Sequence, residues 1–441
     1  MARQYVIIGS GIAGLSAAEA IRQHEATAHI TLIAEETHGF YSRPGLAYYL
    51  RGDIPEKQLF NRSHDDLQAL GLRWQKSRAE KILPATHQVL LANGQSVTYD
   101  RLLLATGSTT VSPDFPGGEL NGVVKLDKLD DARHILKLSG RGRTAVVIGG
   151  GITALEIVEG LRERGVRVHY FLRGDRYWSN VLDETESGIV AERLQAEGVI
   201  IHAHTHIKQA LGKNGKLIGV ETQSGERINC QILAIAIGVR PRLELARAAE
   251  LKIDRGVLVD EFMRTSAPDI FAAGDIAQAY DPRSGRAVLD VLWATAIAQG
   301  HAAGANMAGA AKAYTKEVAF NVTQLAGLST SIIGAVGSGQ DEDLVTISRG
   351  GSEAWRMLSD AWVVTEREDV NRVRVLVGEQ SIVGAFVMGD QTWSRPLYQL
   401  IAAQVDIRSI RAAMMDDAAE ALTHLTNFYQ QWEQHRAPQN V

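Results

Sequence analysis

Cysteine is almost absent from this chain, whose 441 residues include a single one, Cys230. One thiol cannot form an intrachain disulfide, a CxxC pair, a cysteine-ligated zinc site or an iron–sulfur cluster. The chain is therefore not a disulfide-stapled secreted protein, and we expect a reducing, cytoplasmic location. We interpret Cys230, near the start of an apolar strand, as a small buried hydrophobe rather than a nucleophile.

Long apolar runs and basic blocks are also missing. The longest apolar stretches, such as residues 232–239, fall far below the ~18 residues of a membrane span. The N-terminal apolar run ends in glycines after residue 8, too early for the core of a signal peptide. Net charge is −5 and the basic residues form no stripe, so we expect neither a membrane span nor nucleic-acid binding.

Proline is scarce and glycine is abundant, with 10 prolines against 42 glycines, which favours tight backbone approaches over proline-rich linkers. The 45% hydrophobic and 22% charged fractions are ordinary for a globular protein and exclude a disordered one. At roughly 100–200 residues per domain, the length predicts about two to four domains.

A glycine-rich turn near the N-terminus stands between a short apolar strand, residues 5–8, and an alanine-rich helical stretch, residues 15–22. Its pattern is G-x-G-x-x-G. Gly9 permits the tight turn, Gly11 lets the backbone approach a pyrophosphate, and Gly14 lets the helix pack close to the strand. The free N–H groups of the helix N-terminus favour phosphate, so the unit predicts a dinucleotide site.

An acidic pair follows the next predicted strand, residues 29–34. Glu35 stands near the ~20-residue spacing of an acid that binds a ribose diol. A glycine turn alone is a weak signal, and a purely structural turn is the alternative. The strand, helix and acid in register favour nucleotide binding.

The same unit occurs again about 140 residues later. The strand of residues 144–148 leads into Gly149-Gly-Gly151-Ile-Thr-Ala154, and the strand of residues 166–172 follows a helical stretch. Ala154 replaces the third glycine, which the fingerprint allows. Two such units predict two bound dinucleotides, and an enzyme that holds two usually passes hydride between them.

Four further motifs complete a familiar order along the chain. They are segments 99–107, 231–241, 265–275 and 292–300, which contain Thr106, Gly107, Gly238, Gly274, Asp275 and Trp293. With these motifs the sequence resembles the pyridine nucleotide oxidoreductase superfamily, flavoproteins that bind FAD with the first unit and NAD(P)H with the second.

The resemblance implies an α/β fold with two Rossmann-like, glutathione-reductase-type domains and a C-terminal α+β interface domain. The FAD domain would comprise residues 1–112 and 250–325, the NAD(P)H domain residues 113–249, and the C-terminal domain residues 326–441. In the last domain the pattern predicts a meander with strands starting near Trp362, Val373 and Ile382, then helices over 397–403 and 417–433.

Residues 40–50, where disulfide reductases and peroxidases of this superfamily carry cysteine, contain no thiol. Their Tyr-Ser-Arg-Pro run resembles rubredoxin reductases, ferredoxin reductases of oxygenase systems and the flavin portion of assimilatory nitrite reductases. The implied function is FAD-dependent NAD(P)H oxidation, with electrons leaving the flavin directly for a rubredoxin- or ferredoxin-type protein or a quinone.

The resemblance also implies roles for individual residues. Gly9, Gly11 and Gly14 would hold the FAD pyrophosphate, and Glu35 and Glu36 the adenosine ribose. Arg43 and Pro44 would line the FAD cleft, Ala79 would place backbone against the adenine, and Thr106 and Gly107 would lie at the domain crossing. Asp275 would bind the ribityl chain, Trp293 would abut the ring, and Gly149, Gly151 and Ala154 would hold the nicotinamide dinucleotide.

Two positions depart from the ferredoxin-reductase pattern. Glu156 matches a glutamate that relatives pair with a lysine near flavin N5, which makes it the candidate catalytic residue, but the lysine position is Tyr48. Asp127 stands where relatives commonly carry an FAD-contacting arginine. We therefore expect the reaction class of these relatives rather than their kinetic behaviour.

The choice of nicotinamide nucleotide depends on the end of the second-domain strand. NAD enzymes place an acid there and NADP enzymes place arginines for the 2′-phosphate. Arg173 and Arg176 favour NADPH over NADH. A solvated turn is the alternative, and Asp175 could serve as a late acid.

Three histidines, His202, His204 and His206, alternate over residues 199–207. On one strand they would share a face and could bind zinc, but a solvent-facing strand explains the spacing equally well, and we predict no metal. The aromatic cluster Phe428, Tyr429 and Trp432, at helical spacing, is interpreted as core packing.

Two other functions stay open. One is a redox-sensing flavoprotein that resembles apoptosis-inducing factor, and the other is the flavin component of a larger reductase complex. The sequence is compatible with a monomer or a homodimer.

Overall fold

The computed structural model describes residues 3–337, 352, 362–368, 370–416 and 420–435. The described residues divide into two compact units. The first unit takes in those of 1–177, 194–316 and 344–353, and the second those of 178–193, 317–343 and 354–441. Both predicted nucleotide-binding folds belong to the first unit.

The strands are numbered along the chain. Strands β1 to β8 are Gln4–Ile8, His29–Ala34, Arg73–Lys76, Ala79–Leu83, Gln88–Leu91, Ser96–Thr98, Arg101–Leu104 and Ser108–Thr110. Strands β9 to β17 are Val123–Val124, Thr144–Ile148, Arg167–Phe171, Ile200–His202, Ile207–Lys213, Lys216–Thr222, Arg227–Asn229, Ile232–Ile235 and Val239–Pro241. Strands β18 to β26 are Val257–Leu258, Ile270–Ala272, Ala277–Asp281, Arg286–Leu289, Phe320–Leu325, Leu328–Gly334, Trp362–Glu368, Asn371–Val377 and Ile382–Met388.

The α-helices are numbered in the same way. Helices α1 to α6 are Ile12–His24, Gly45–Arg51, His64–Ala69, Leu129–Leu138, Ile152–Glu163 and Glu184–Ala196. Helices α7 to α11 are Glu244–Ala248, Trp293–Met307, Ser394–Ala402, Arg408–Asp416 and Ala421–His435.

The first nucleotide-binding fold is built on a parallel sheet in the order β19-β7-β1-β2-β3. Its central strands are continuous apolar runs, as strands covered on both faces require: Val6, Ile7 and Ile8 in β1 are all buried. The strands come from residues 1–112 and 250–325. The distant strand β19 pairs with β7, so this sheet is completed only when the chain returns after residue 250.

The second fold repeats this architecture in the parallel order β12-β11-β10-β16-β9. Both glycine turns follow the carboxyl end of a central strand, β1 in the first sheet and β10 in the second. In open α/β sheets this edge is where ligands bind. Strands β8 and β17 pair antiparallel between the two folds and form the chain crossing.

The C-terminal part contains an antiparallel sheet in the order β22-β23-β26-β25-β24. The predicted meander is confirmed as β24, β25 and β26. The helical prediction was too simple, since three helices, α9 to α11, occur where two were expected. The predicted helix start at 417 falls on residues 417–419, outside the described residues. Phe428, Tyr429 and Trp432 pack against the core of this sheet, as interpreted.

Two parallel-sheet Rossmann-like folds and an antiparallel α+β part confirm the predicted fold class. The three domain boundaries remain a prediction, because the division into compact units keeps the two nucleotide-binding folds together and groups residues 178–193 with the C-terminal part.

The single strand expected over residues 199–207 is wrong. Strand β12 ends at His202, a turn follows, and β13 begins at Ile207. His204 lies in the turn with a φ of +48°. The three histidines therefore do not share one strand face, and His202 instead contacts His169 on the neighbouring strand, with 3.0 Å between their ring nitrogens.

Candidate functional site

The first glycine turn has the geometry of a pyrophosphate cradle. Gly9 adopts a φ of +118°, and a Cβ there would lie 2.0 Å from the backbone oxygen of Ala105. A Cβ on Gly14 would lie 2.1 Å from the oxygen of Gly9, so helix and turn touch through backbone. A Cβ on Gly11 would meet nothing within 4 Å. The open space lies at Gly11, at the N-terminus of α1, where a phosphate would be bound.

The second turn repeats these features. Gly149 has a φ of +139° and its Cβ would lie 2.1 Å from the oxygen of Ala236, whereas Gly150 faces open space. Gly151 is the N-cap of α5, and Ala154 is buried beneath the turn. The hydroxyl of Thr153 is buried and has no hydrogen-bond partner among the described residues. A Thr153 hydroxyl without a partner, beside an open glycine turn, is suited to hydrogen-bond a nucleotide bound there.

The two acids after β2 are in different environments. The carboxylate of Glu35 is 59% exposed and lies 3.7 Å from Nζ of Lys128. Glu36 is 14% exposed and already accepts hydrogen bonds from the hydroxyl of Tyr41, at 2.6 Å, and from Arg43. Glu35 is therefore open to a ribose, while Glu36 is engaged in holding Arg43.

Three other residues predicted for the FAD site, Arg43, Pro44 and Ala79, also belong to the first unit. Arg43 donates from Nη1 to the backbone oxygen of Asp127 at 2.6 Å. Pro44 is the N-cap of α2, and Ala79 is buried at the start of β4. Burial also raises the pKa of the Tyr41 hydroxyl well above its ordinary value, so Tyr41 acts as a neutral donor.

The chain crossing brings Asp275 to Ser108, 167 residues away. The Ser108 hydroxyl donates to Oδ2 of Asp275 at 2.6 Å. Thr106 and Gly107 precede Ser108, Gly238 precedes β17, and the crossing strands join these segments. Sequence reasoning missed Ser108, whose only signal is its place directly after Gly107.

The start of α8 lies beside the first fold. Trp293 opens the helix, and its ring centroid is 6.3 Å from that of the buried Phe40. The side-chain oxygen of Gln299 accepts from the backbone N–H of Gly274 at 2.9 Å, which fixes the turn that carries Asp275. Gln299 lies in segment 292–300, and its sequence position alone did not indicate this role.

Glu156 lies half-buried on α5, and the nearest turn of α2 beyond Tyr48 carries an arginine. Arg51, one turn beyond Tyr48 on α2, has its guanidinium 4.9 Å from the centroid of the Tyr48 ring. It also lies 3.4 Å from Glu159, one turn beyond Glu156 on α5. Arg51 and Glu159 thus form an ion pair one turn farther along both helices than Tyr48 and Glu156, and Arg51 also pairs with Asp53 at 2.7 Å.

The predicted 2′-phosphate loop follows β11. Arg173 is exposed and makes no hydrogen bond or ion pair with another described residue. Arg176 donates to Asp175 at 2.7 Å, and its buried Nε has no partner among the described residues. The backbone N–H of His204 donates to the oxygen of Gly174 at 3.0 Å and anchors the loop.

Cys230 is fully buried in the core of the second fold. Burial raises the pKa of its thiol to about 12, so the thiolate is negligible at neutral pH. No other cysteine exists in the sequence. A relay through a thiol is excluded.

Comparisons with known proteins agree with this arrangement. The family model for the pyridine nucleotide-disulphide oxidoreductases matches residues 3–305. This chain belongs to that family. The predicted superfamily and its reductase branch are thereby confirmed, and the protein is an oxidoreductase.

Two relatives illustrate the reductase branch, and one solved structure illustrates the fold. The chain is 31% identical over 276 residues to the rubredoxin-NAD(+) reductase of Pseudomonas putida, which covers 62% of this chain and 72% of the relative. It is 34% identical over 352 residues to the ferredoxin--NAD(+) reductase component of the anthranilate 1,2-dioxygenase system of Burkholderia cepacia, covering 78% of this chain and 84% of the relative. The fold resembles the crystal structure of a covalent putidaredoxin reductase-putidaredoxin complex, with a TM-score of 0.84, 22% identity, and coverage of 97% and 99% of the two chains.

Membrane-spanning helices and metal-binding groups were both sought in the described segments of the chain. None of the helices there combines the length and apolar character needed to cross a bilayer. Within the same segments, His, Cys, Asp and Glu side chains form no group of three or more that could hold a metal ion.

Proposed function

We propose that this chain is an FAD-dependent NAD(P)H oxidoreductase that delivers electrons to a small redox protein of rubredoxin or ferredoxin type. The observation that carries the proposal is the presence of two nucleotide cradles in a chain whose only thiol is buried and un-ionised. Relatives that are named for reduction of such proteins support the choice of acceptor. A quinone is the alternative acceptor, and the family implies FAD and a nicotinamide dinucleotide as cofactors.

The two glycine turns would bind different nucleotides, FAD at the first turn and the nicotinamide dinucleotide at the second. Backbone N–H groups at Gly11 and the start of α1 bind pyrophosphate, Glu35 binds the adenosine ribose, and Asp275, oriented by Ser108, binds ribityl hydroxyls. These residues would hold FAD, which would supply two-electron acceptance from the nicotinamide and one-electron release to the acceptor. Trp293 and Phe40 pack at the start of α8, where they would exclude water from the flavin edge.

The second cradle would hold the nicotinamide dinucleotide through Gly149, Gly151 and Ala154, with Glu156 beside it as the candidate catalytic residue. Arg173 and the orphaned Nε of Arg176 support a 2′-phosphate and hence NADPH. We also propose the domain boundaries given above, with the FAD domain drawn from 1–112 and 250–325.

The test is a steady-state assay of the purified protein. We expect about one FAD per chain and NAD(P)H-dependent reduction of ferricyanide and of a rubredoxin- or ferredoxin-type protein. A denatured extract without FAD would contradict the central claim. Negligible turnover with every acceptor, together with dimerisation on addition of NAD(P)H, would favour the redox-sensing alternative.

A further inference from the structure

Two arginines converge on Asp127, in the segment that precedes α4. The Asp127 side chain is 2% exposed, and its Oδ2 accepts from Nη2 of Arg242 at 3.1 Å and from the Thr109 hydroxyl at 3.1 Å. Its backbone oxygen accepts from Arg43, which lines the proposed FAD cleft. A buried carboxylate requires such partners, because its isolated charge would be costly to bury.

Arg242 makes three hydrogen bonds to residues of the chain crossing. Its backbone N–H donates to the oxygen of Gly107 at 3.0 Å, and its own oxygen accepts from the Thr106 hydroxyl at 3.3 Å. Its Nε donates to the oxygen of Ser108 at 3.1 Å, and the Ser108 hydroxyl in turn holds Asp275. Arg242 is thus bonded to Thr106, Gly107 and Ser108, and through Ser108 it is connected to Asp275, the proposed ribityl-binding residue.

Part of the Arg242 guanidinium has no hydrogen-bond partner among the described residues. Its side chain is 34% exposed, and its Nη1 donates to no described residue. The Lys125 ammonium also lies 3.9 Å from Asp127, Arg43 is paired with Glu36, and the Asp131 carboxylate accepts from the backbone N–H of Asp127 at 2.9 Å, so three cations face three carboxylates. The spare guanidinium donors of Arg242 are suited to an oxyanion.

We propose that Arg242 is a further FAD-binding residue that contacts the pyrophosphate, and that Asp127 is the positioning residue that aims it. The inference rests on the proposed function, since it requires FAD in the first fold. It accounts for the acid at position 127: the acid holds a cation that lies 115 residues farther along the chain, directly after β17.

The test measures FAD affinity of the apoprotein by titration, together with its melting temperature. Arg242→Met removes the cation but leaves Asp127 buried without it. The double variant Asp127→Asn/Arg242→Met removes both charges, so it leaves no buried carboxylate without its cation. It replaces the single variant in the test if Arg242→Met does not fold. Arg240→Met is the matched control, because Arg240 is exposed and lies two residues earlier, on β17.

We expect the FAD dissociation constant to rise about ten- to hundredfold in Arg242→Met, as loss of a charge-assisted hydrogen bond predicts. The double variant should melt near the wild-type temperature and still bind FAD as weakly as Arg242→Met. The affinity of the wild type should fall more steeply with salt than that of either variant. Arg240→Met should behave as the wild type.

Wild-type FAD affinity in the double variant would overturn the inference, because the pair would then be purely structural. Equal weakening by Arg240→Met would also overturn it, since the effect would be one of general surface charge. A wild-type protein that binds no FAD would contradict the proposed function itself, and this outcome is distinct from a change confined to the variants.

Discussion

At the scale of single residues, the site depends on which polar side chains are already engaged. Glu35 and Glu36 are adjacent, yet only Glu35 keeps an exposed carboxylate, because Tyr41 and Arg43 occupy both oxygens of Glu36. The same distinction separates exposed Arg173 from Arg176, which is paired with Asp175.

The open space at Gly11 gives a prediction about FAD binding. Gly11→Leu should leave the fold intact, because a Cβ there meets no atom within 4 Å, but should expel FAD by filling the place of the pyrophosphate. The ratio of flavin to protein absorbance measures the effect. Gly140→Leu, at another open glycine, is the control. Full flavin occupancy in Gly11→Leu would show that Gly11 is only a turn residue.

Arg173 gives a prediction about nucleotide preference. Arg173→Glu should weaken NADPH binding about ten- to hundredfold, since a charge-assisted hydrogen bond contributes roughly 1.5–3 kcal/mol, and should change NADH binding little. Parallel titrations with both nucleotides decide it. Arg167→Glu, exposed at the start of β11, is the control for general charge. Equal losses for the two nucleotides would mean that Arg173 contacts no phosphate.

At the scale of elements, helices α1 and α8 are in backbone contact. A Cβ on Gly300 would lie 2.3 Å from the oxygen of Ala13, and one on Gly304 would lie 2.2 Å from the oxygen of Ala17. Helix α1 begins at the proposed FAD-binding turn and α8 begins at Trp293, so we expect a change in their spacing to disturb the proposed FAD site.

Gly304→Ala should therefore destabilise the protein by about 1–3 kcal/mol, the usual effect of overpacking, and should lower FAD affinity. Gly188→Ala is the matched control, because Gly188 also lies inside a helix but faces open space. There the better helix propensity of alanine should leave stability unchanged or raised. Thermal melts of both apoproteins measure this difference. Equal stability of the two variants would contradict the close helix contact.

Element boundaries also show where sequence patterns were insufficient. The meander of β24, β25 and β26 was predictable because alternation and the Gly378 turn are local signals. The prediction of one strand over residues 199–207 was wrong because an alternating pattern does not reveal the turn after His202, where His204 lies in the left-handed region. Helix α10 was missed, and nothing in the predicted pattern separated it from its neighbours.

At the scale of the whole molecule, the one thiol of the sequence, Cys230, is buried. Cys230→Ala, or treatment with iodoacetamide up to pH 9, should leave NAD(P)H-dependent ferricyanide reduction intact, because burial raises the pKa of this thiol to about 12. Glutathione disulfide should not be reduced, since its reduction requires an attacking thiolate. Loss of turnover in a folded, alkylated protein would contradict direct transfer from the flavin.

The sequence by itself determined the two nucleotide folds, since each fingerprint is a contiguous strand, turn and helix whose glycines act within about ten residues of one another. It also determined that no second thiol exists. Only the tertiary structure decided which charges meet: Arg242 and Asp127 are 115 residues apart, and Ser108 and Asp275 are 167 apart. Such pairs leave no periodic signal, because the burial and pairing of a polar side chain depend on where distant strands bring the backbone.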